Sequence, residues 1–144
     1  KSSFKNKSFY KRLKKFMNLN KRYFLLGGID LEMISIKKIL EKYGIPFKNL
    51  NLLWNNAKLS QYQKYLNNEN SFFGIELQED ITLPKYYTKI DHHNNYSHKK
   101  SSLEQVADIL NIKLDNFQKL IAENDKGYIP AMIKAGASKE QILK

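Results

Sequence analysis

Residues 89–95 read KIDHHNN, an aspartate and two adjacent histidines followed by two asparagines, behind the extended run LPKYYTKI. The chain has three histidines in all, and two of them stand side by side after a carboxylate at a strand end. Imidazole and carboxylate groups together suit manganese, iron, magnesium or zinc. Further acids fall at element ends: Asp30 and Glu32 after Gly27-Gly28, Glu76 near the end of SFFGIEL, and Asp125 after the segment LDNFQKLIAEN. Carboxylates bridged by an imidazole could hold two cations. One would generate a hydroxide and both would neutralise the charge of a phosphoryl transition state. The chain has no cysteine, which excludes thiolate nucleophiles, disulfides and cysteine–zinc sites.

Each residue also has a plain structural reading. Asp30 could cap a helix, a role aspartate fills well. Glu76 could be an exposed strand residue, and Asp125 in ENDKGY an ordinary turn residue before Gly127. His98 in YSHKK reads as a surface residue, and Trp54 and the tyrosines as packing groups.

The elements that must position these residues alternate. YFLLGG (23–28) is a short apolar run ending in two glycines, the pattern of a buried strand that turns sharply. Ile36, Ile39, Leu40 and Tyr43 then recur at helical spacing, and Gly44 with Pro46 stops the helix. FKNLNLLW (47–54) predicts a second strand, AKLSQYQKYLNN (57–68) a helix, SFFGIEL (71–77) and YYTKI (86–90) two more strands. SSLEQVADIL opens with Ser101 and Glu104 at capping-box spacing and carries the stripe Leu103, Val106, Ala107 and Leu110. LDNFQKLIAEN predicts another helix with Phe117, Leu120 and Ile121 inward. Strands alternating with helices predict an α/β fold, a three-layer α/β/α domain with a mostly parallel sheet. Ligands of such sheets sit beyond the carboxyl ends of the strands, where the acids and histidines fall.

Asp91-His92-His93 after a strand, with Asn94 behind it, resembles the signature of the DHH phosphoesterase superfamily. LLGGIDLEM is similar to the first motif of that superfamily, with Asp30 and Glu32 in its acidic positions. SSLEQVADIL resembles the serine-containing loop and helix after the histidines, and LIAENDKGY the fourth motif, with Asp125 as its carboxylate. NDKGYIPAM resembles a small uncharacterised branch. The likeness spans residues 23–135. It implies manganese-dependent hydrolysis of a phosphoester or phosphoanhydride (two manganese ions, or magnesium) in a phosphate-containing small molecule or short nucleic acid. By the same likeness His92 would be a metal ligand or bridge, His93 would orient the phosphate or the attacking water, and Asp91 would fix an imidazole tautomer. Asp30, Glu32, Glu76 and Asp125 would complete the metal set, and Lys126 could neutralise a phosphate. Glu32 stands where most members have aspartate, and the second motif is met by Glu76, or in its stead Asp80. A shorter carboxylate at residue 32 would then preserve or raise activity. Members carry a C-terminal domain that selects substrate, for which this chain is too short. A non-catalytic nucleotide-sensing or partner-binding domain is the alternative.

The chain has 144 residues and a net charge of +11, but the charge is unevenly placed. Residues 1–22 hold nine Lys or Arg and no acid, leaving sixteen basic against fourteen acidic residues in 23–144. The basicity therefore belongs to an arm, read as disordered (a targeting segment and a nucleic-acid-binding arm are the alternatives), ahead of the domain 23–144. No apolar run reaches the roughly 18–20 residues that span a bilayer, and the lack of cysteine fits a reducing, cytoplasmic setting. The missing initial Met and the helical ending SKEQILK suggest a fragment. Deleting residues 1–16 should leave the thermal midpoint nearly unchanged. A fall of many degrees would make the arm part of the core, and single-stranded nucleic-acid binding that survives the deletion would have another source.

Overall fold

The computed structural model describes residues 7–12, 21–93, 96 and 99–124. Four strands, β1 (Arg22–Leu26), β2 (Phe47–Asn49), β3 (Ser71–Ile75) and β4 (Tyr87–Ile90), form one sheet in the order β2-β1-β3-β4. Every pairing is parallel, so the α/β expectation holds. Helices α1 (Leu31–Lys42) and α2 (Ser102–Leu110) and the helical residues 116–124 (α3) complete the architecture. No helix among the described residues is long and apolar enough to cross a membrane. Residues 7–12 are helical with every side chain exposed, and the rest of the arm up to residue 20 lies outside the described residues. β1 starts one residue before the expected boundary, and the Arg22 guanidinium donates to the Ile109 carbonyl at 3.3 Å.

Alternate side chains of β1 enter different cores, as the two-residue period of a strand requires. Phe24 and Leu26 join Ile75 and Ile90 under Met33, Ile36, Ile39 and Leu40 of α1, Leu103 and Val106 of α2, and Ile121. Leu25 faces the other way and packs with Phe72, Leu77, Ala57, Leu59 and Tyr62. Burial on both faces explains the unbroken apolar run of β1.

The second face is covered differently from expectation. The predicted helix over 57–68 is a 3-10 helix, Leu59–Tyr65, preceded by a 3-10 turn at Trp54–Asn56. Its first backbone groups are claimed by Gln78 and Asp80 from outside and by its own Gln61. Leu59 N–H donates to the Gln78 carbonyl, Ser60 N–H and hydroxyl to the Asp80 carboxylate, and Lys58 N–H to the Gln61 side chain. β2 also stops early, because Asn49 Oδ1 accepts from Asn51 N–H and Asn51 takes a positive φ of 54°. Tyr43 is 48 % and Phe117 41 % exposed rather than inward. Tyr43 has already left the helical stripe as the C-cap residue, ahead of Gly44 at φ 64°. In α3, Leu120, Ile121 and Ala122 make the core contact.

The feature that matters for the site is the level of the strand ends. Leu26 pairs with Ile75, and Ile75 with Ile90, so these residues share one row across the sheet. Gly27, Glu76 and Asp91 leave the sheet together. The backbones are then so close that a Cβ on Gly27 would lie 2.2 Å from the Ile75 carbonyl oxygen and 2.6 Å from that of Glu76. At Gly28 the nearest such atom, Met33 Cε, is 3.7 Å away. Gly27→Ala should therefore cost about 1–3 kcal/mol in urea unfolding, the usual cost of forcing extra volume into a packed site. Gly28→Ala should unfold close to the wild-type midpoint, and equal effects of the two substitutions would contradict this packing.

Candidate functional site

β1 sends the chain to β2 on one side and neighbours β3 on the other, so the strand order reverses between β1 and β3. Open parallel sheets bind ligands beyond the carboxyl ends at such a switch point. Glu32 follows β1, Glu76 follows β3, and His92 and His93 follow β4.

Glu76 is the first residue past β3, and its N–H still donates to the Ile90 carbonyl at 2.8 Å. Its φ is +54°, in the left-handed region that side chains other than glycine and asparagine seldom adopt. Strain of this kind persists where the surroundings over-determine it, and it collects at functional sites. Its carboxylate is held at both oxygens. Oε1 lies 3.0 Å from His93 Nε2, and Oε2 accepts from the Ser102 hydroxyl at 2.8 Å. Burial pushes the Glu76 carboxyl up, but hydrogen bonds with His93, Glu32 and Ser102 outweigh it and hold the group below the usual carboxylate range.

Glu32 lies in the first turn of α1 and is buried. Its Oε2 accepts from Leu103 N–H at 3.2 Å, and its Oε1 is 3.9 Å from His92 Nε2. The extra methylene of glutamate over aspartate is what carries the carboxylate to both places. The N-terminus of α2 thus faces two acids, with Ser102 on Glu76 and Leu103 on Glu32. A helix N-terminus carries partial positive charge and favours negative charge beside it.

The two imidazoles lie close and tilted against each other, with ring centroids 4.3 Å apart and planes at 37°. His92 is 4 % exposed, whereas the His93 side chain keeps 28 % of its surface, so the cluster meets solvent mainly through His93. One ligand atom each from Glu76, His92 and His93 lies within 4.8 Å of the others. Ligands about 2.0–2.2 Å from one ion stand at most about 4.4 Å apart, so a small side-chain rotation would close this set on a cation.

The other expected site residues fall elsewhere. Asp30 is exposed and caps α1, its Oδ1 accepting from Met33 N–H at 2.9 Å. Asp91 accepts from His93 N–H at 2.9 Å and sits 3.8 Å from Lys89 Nζ. It shapes the turn that presents the histidines, and the carboxylate on the His93 ring is that of Glu76. Asp80 binds Ser60 on the opposite face, which leaves the strand-end acid to Glu76. Asn94, His98, Asp125 and Lys126 lie outside the described residues. Ser102 was not singled out by its chemistry, although the spacing of Ser101 and Glu104 already placed it at a helix start beside the histidines. No family model, curated protein or solved structure matches the chain.

Proposed function

We propose that the chain is a metal-dependent phosphoesterase of the DHH type. Its substrate would be a phosphoester or phosphoanhydride of a nucleotide, a short oligonucleotide or a pyrophosphate-like molecule. The observation that carries this reading is the convergence of Glu76, His92 and His93 at the carboxyl end of a parallel sheet. These three would hold a divalent cation, with Glu32 adjoining them through His92. Two imidazoles and carboxylate oxygens with no thiolate suit manganese, iron, magnesium or zinc, of which the DHH resemblance implies manganese. For a second ion the resemblance offers Asp125, which lies outside the described residues, whereas Asp30 is exposed and engaged in capping α1. A cation held by Glu76, His92 and His93 would supply Lewis acidity toward a phosphoryl oxygen and would lower the pKa of water.

The chain's own residues supply the rest. Buried carboxyls in contact repel when both are ionised, and a cation held at Glu76 would relieve that cost. His93, the exposed member, meets an incoming phosphate and can donate a hydrogen bond to it. Asp91 holds the His93 backbone and so the direction of the pair.

One observation favours the non-catalytic alternative of a nucleotide-sensing or partner-binding domain. The site is already paired within itself, His93 with Glu76 and Glu32 with the backbone of α2. Metal content and turnover separate the two readings. Purified protein should carry manganese or take it up, and should hydrolyse a model phosphodiester or a nucleotide only in its presence. His92→Ala and Glu76→Gln should abolish both properties. Asp91→Asn keeps an acceptor for His93 N–H and should lose less than the roughly 10–100-fold typical of residues behind a ligand. Glu32→Asp is the point where the geometry argues against the drifted-ligand expectation. The shorter side chain gives up Leu103 N–H or His92, so activity should fall about tenfold or more. Protein that binds manganese at the site but never turns over any phosphate ester would decide for the sensor.

A further inference from the structure

Ser102 occupies the first helical position of α2 and is fully buried. Capping does not account for its hydroxyl, because Ser101 already caps the helix. Ser101 Oγ accepts from Glu104 N–H, and the Glu104 carboxylate returns to Ser101 N–H. An alanine would serve the helix equally well at this position. The Ser102 hydroxyl instead crosses to β3 and donates to Glu76 Oε2 at 2.8 Å.

Glu76 needs such a partner. Its backbone is in the left-handed region, and its side chain has three rotatable bonds between that backbone and the carboxylate. His93 meets one oxygen, Oε1, and the Glu32 carboxyl also bonds the group. Ser102 fixes the second oxygen from the opposite element. We propose that Ser102 is a positioning residue: it locks the Glu76 carboxylate with Oε1 toward His93, the direction in which a cation would be bound. The same turn of α2 presents Leu103 N–H to Glu32, so one helix start sets both buried acids.

The inference rests on the metal-dependent reading for its effect on cation binding, and on the metal-free hydrogen bond for its structural core. Ser102→Ala should weaken manganese affinity, measured by calorimetry, about 10–100-fold, the usual loss for a group that orients a ligand. Its urea midpoint should also fall, since a buried carboxylate loses a donor, and Ser102→Thr, which keeps the hydroxyl, should restore affinity. Ser102→Cys keeps the volume but offers a weak donor and should behave like alanine. A lower urea midpoint with wild-type manganese affinity in Ser102→Ala would make the serine merely structural and overturn the proposal. So would a folded Ser102→Thr that fails to restore binding. If wild-type protein takes up no cation, the phosphoesterase reading falls. The positioning role is then read from the His93 ring nitrogen resonances of metal-free protein. A signature of the Glu76 hydrogen bond that changes in Ser102→Ala and returns in Ser102→Thr supports it, and one unaltered in Ser102→Ala ends it.

Discussion

Three strands of this sheet end on one level. The register that sets Leu26 beside Ile75 and Ile75 beside Ile90 obliges the next residue of each strand to leave at the same height. Parallel pairing makes those residues Gly27, Glu76 and Asp91, so one edge of the sheet collects an acid, a turn carboxylate and the histidines behind it. A slip of one residue in either pairing would move a strand's side chains to the opposite face and scatter the group. Gly27 is part of the same constraint, because its backbone passes where no side chain could fit.

The local chemistry follows from that crowding. Glu76 turns at a positive φ directly after β3, and its carboxylate lies among an imidazole, a second carboxyl and a helix start. Burial alone would favour its neutral form. Hydrogen bonds to the charged form prevail, which leaves an anion in a nearly dry place. Buried charges persist when they are paired or ligate metals, and this one is paired with His93 on its exposed side. The cluster is therefore stabilised from beneath by α2 and, among the described residues, opens outward mainly through His93.

The two faces of the sheet divide the work. α1 and α2 cover one face with helical stripes and bring Glu32, Ser102 and Leu103 to the site. The other face is closed by the 3-10 helix Leu59–Tyr65, anchored through Tyr62 to the Leu26 carbonyl and through Ser60 to Asp80. These four acids separate accordingly, with Asp30 capping α1, Asp80 bonded to Ser60 on the second face, and Glu32 and Glu76 buried together.

The α/β class, the four strands, the capping box of α2 and the strand-end position of Glu76, His92 and His93 were legible in the sequence. They rest on periodicity, turn residues and caps, all local properties of the chain. Local pattern also misread what distant partners decide. AKLSQYQKYLNN carries helical spacing, yet long-range bonds to Gln78 and Asp80 draw it into a 3-10 helix. Asp30 and Glu32, two residues apart, looked like equal candidates. At that separation on a helix start one caps from outside and the other turns inward, and only the position of α2 shows that the inward one meets Leu103 and His92. The residue types able to do chemistry, and their place at element ends, were determined by the sequence alone. Which of them meet was decided by the parallel register and the helix start packed over it, because contact between residues 32, 76, 92 and 102 depends on distances that no one-dimensional spacing contains.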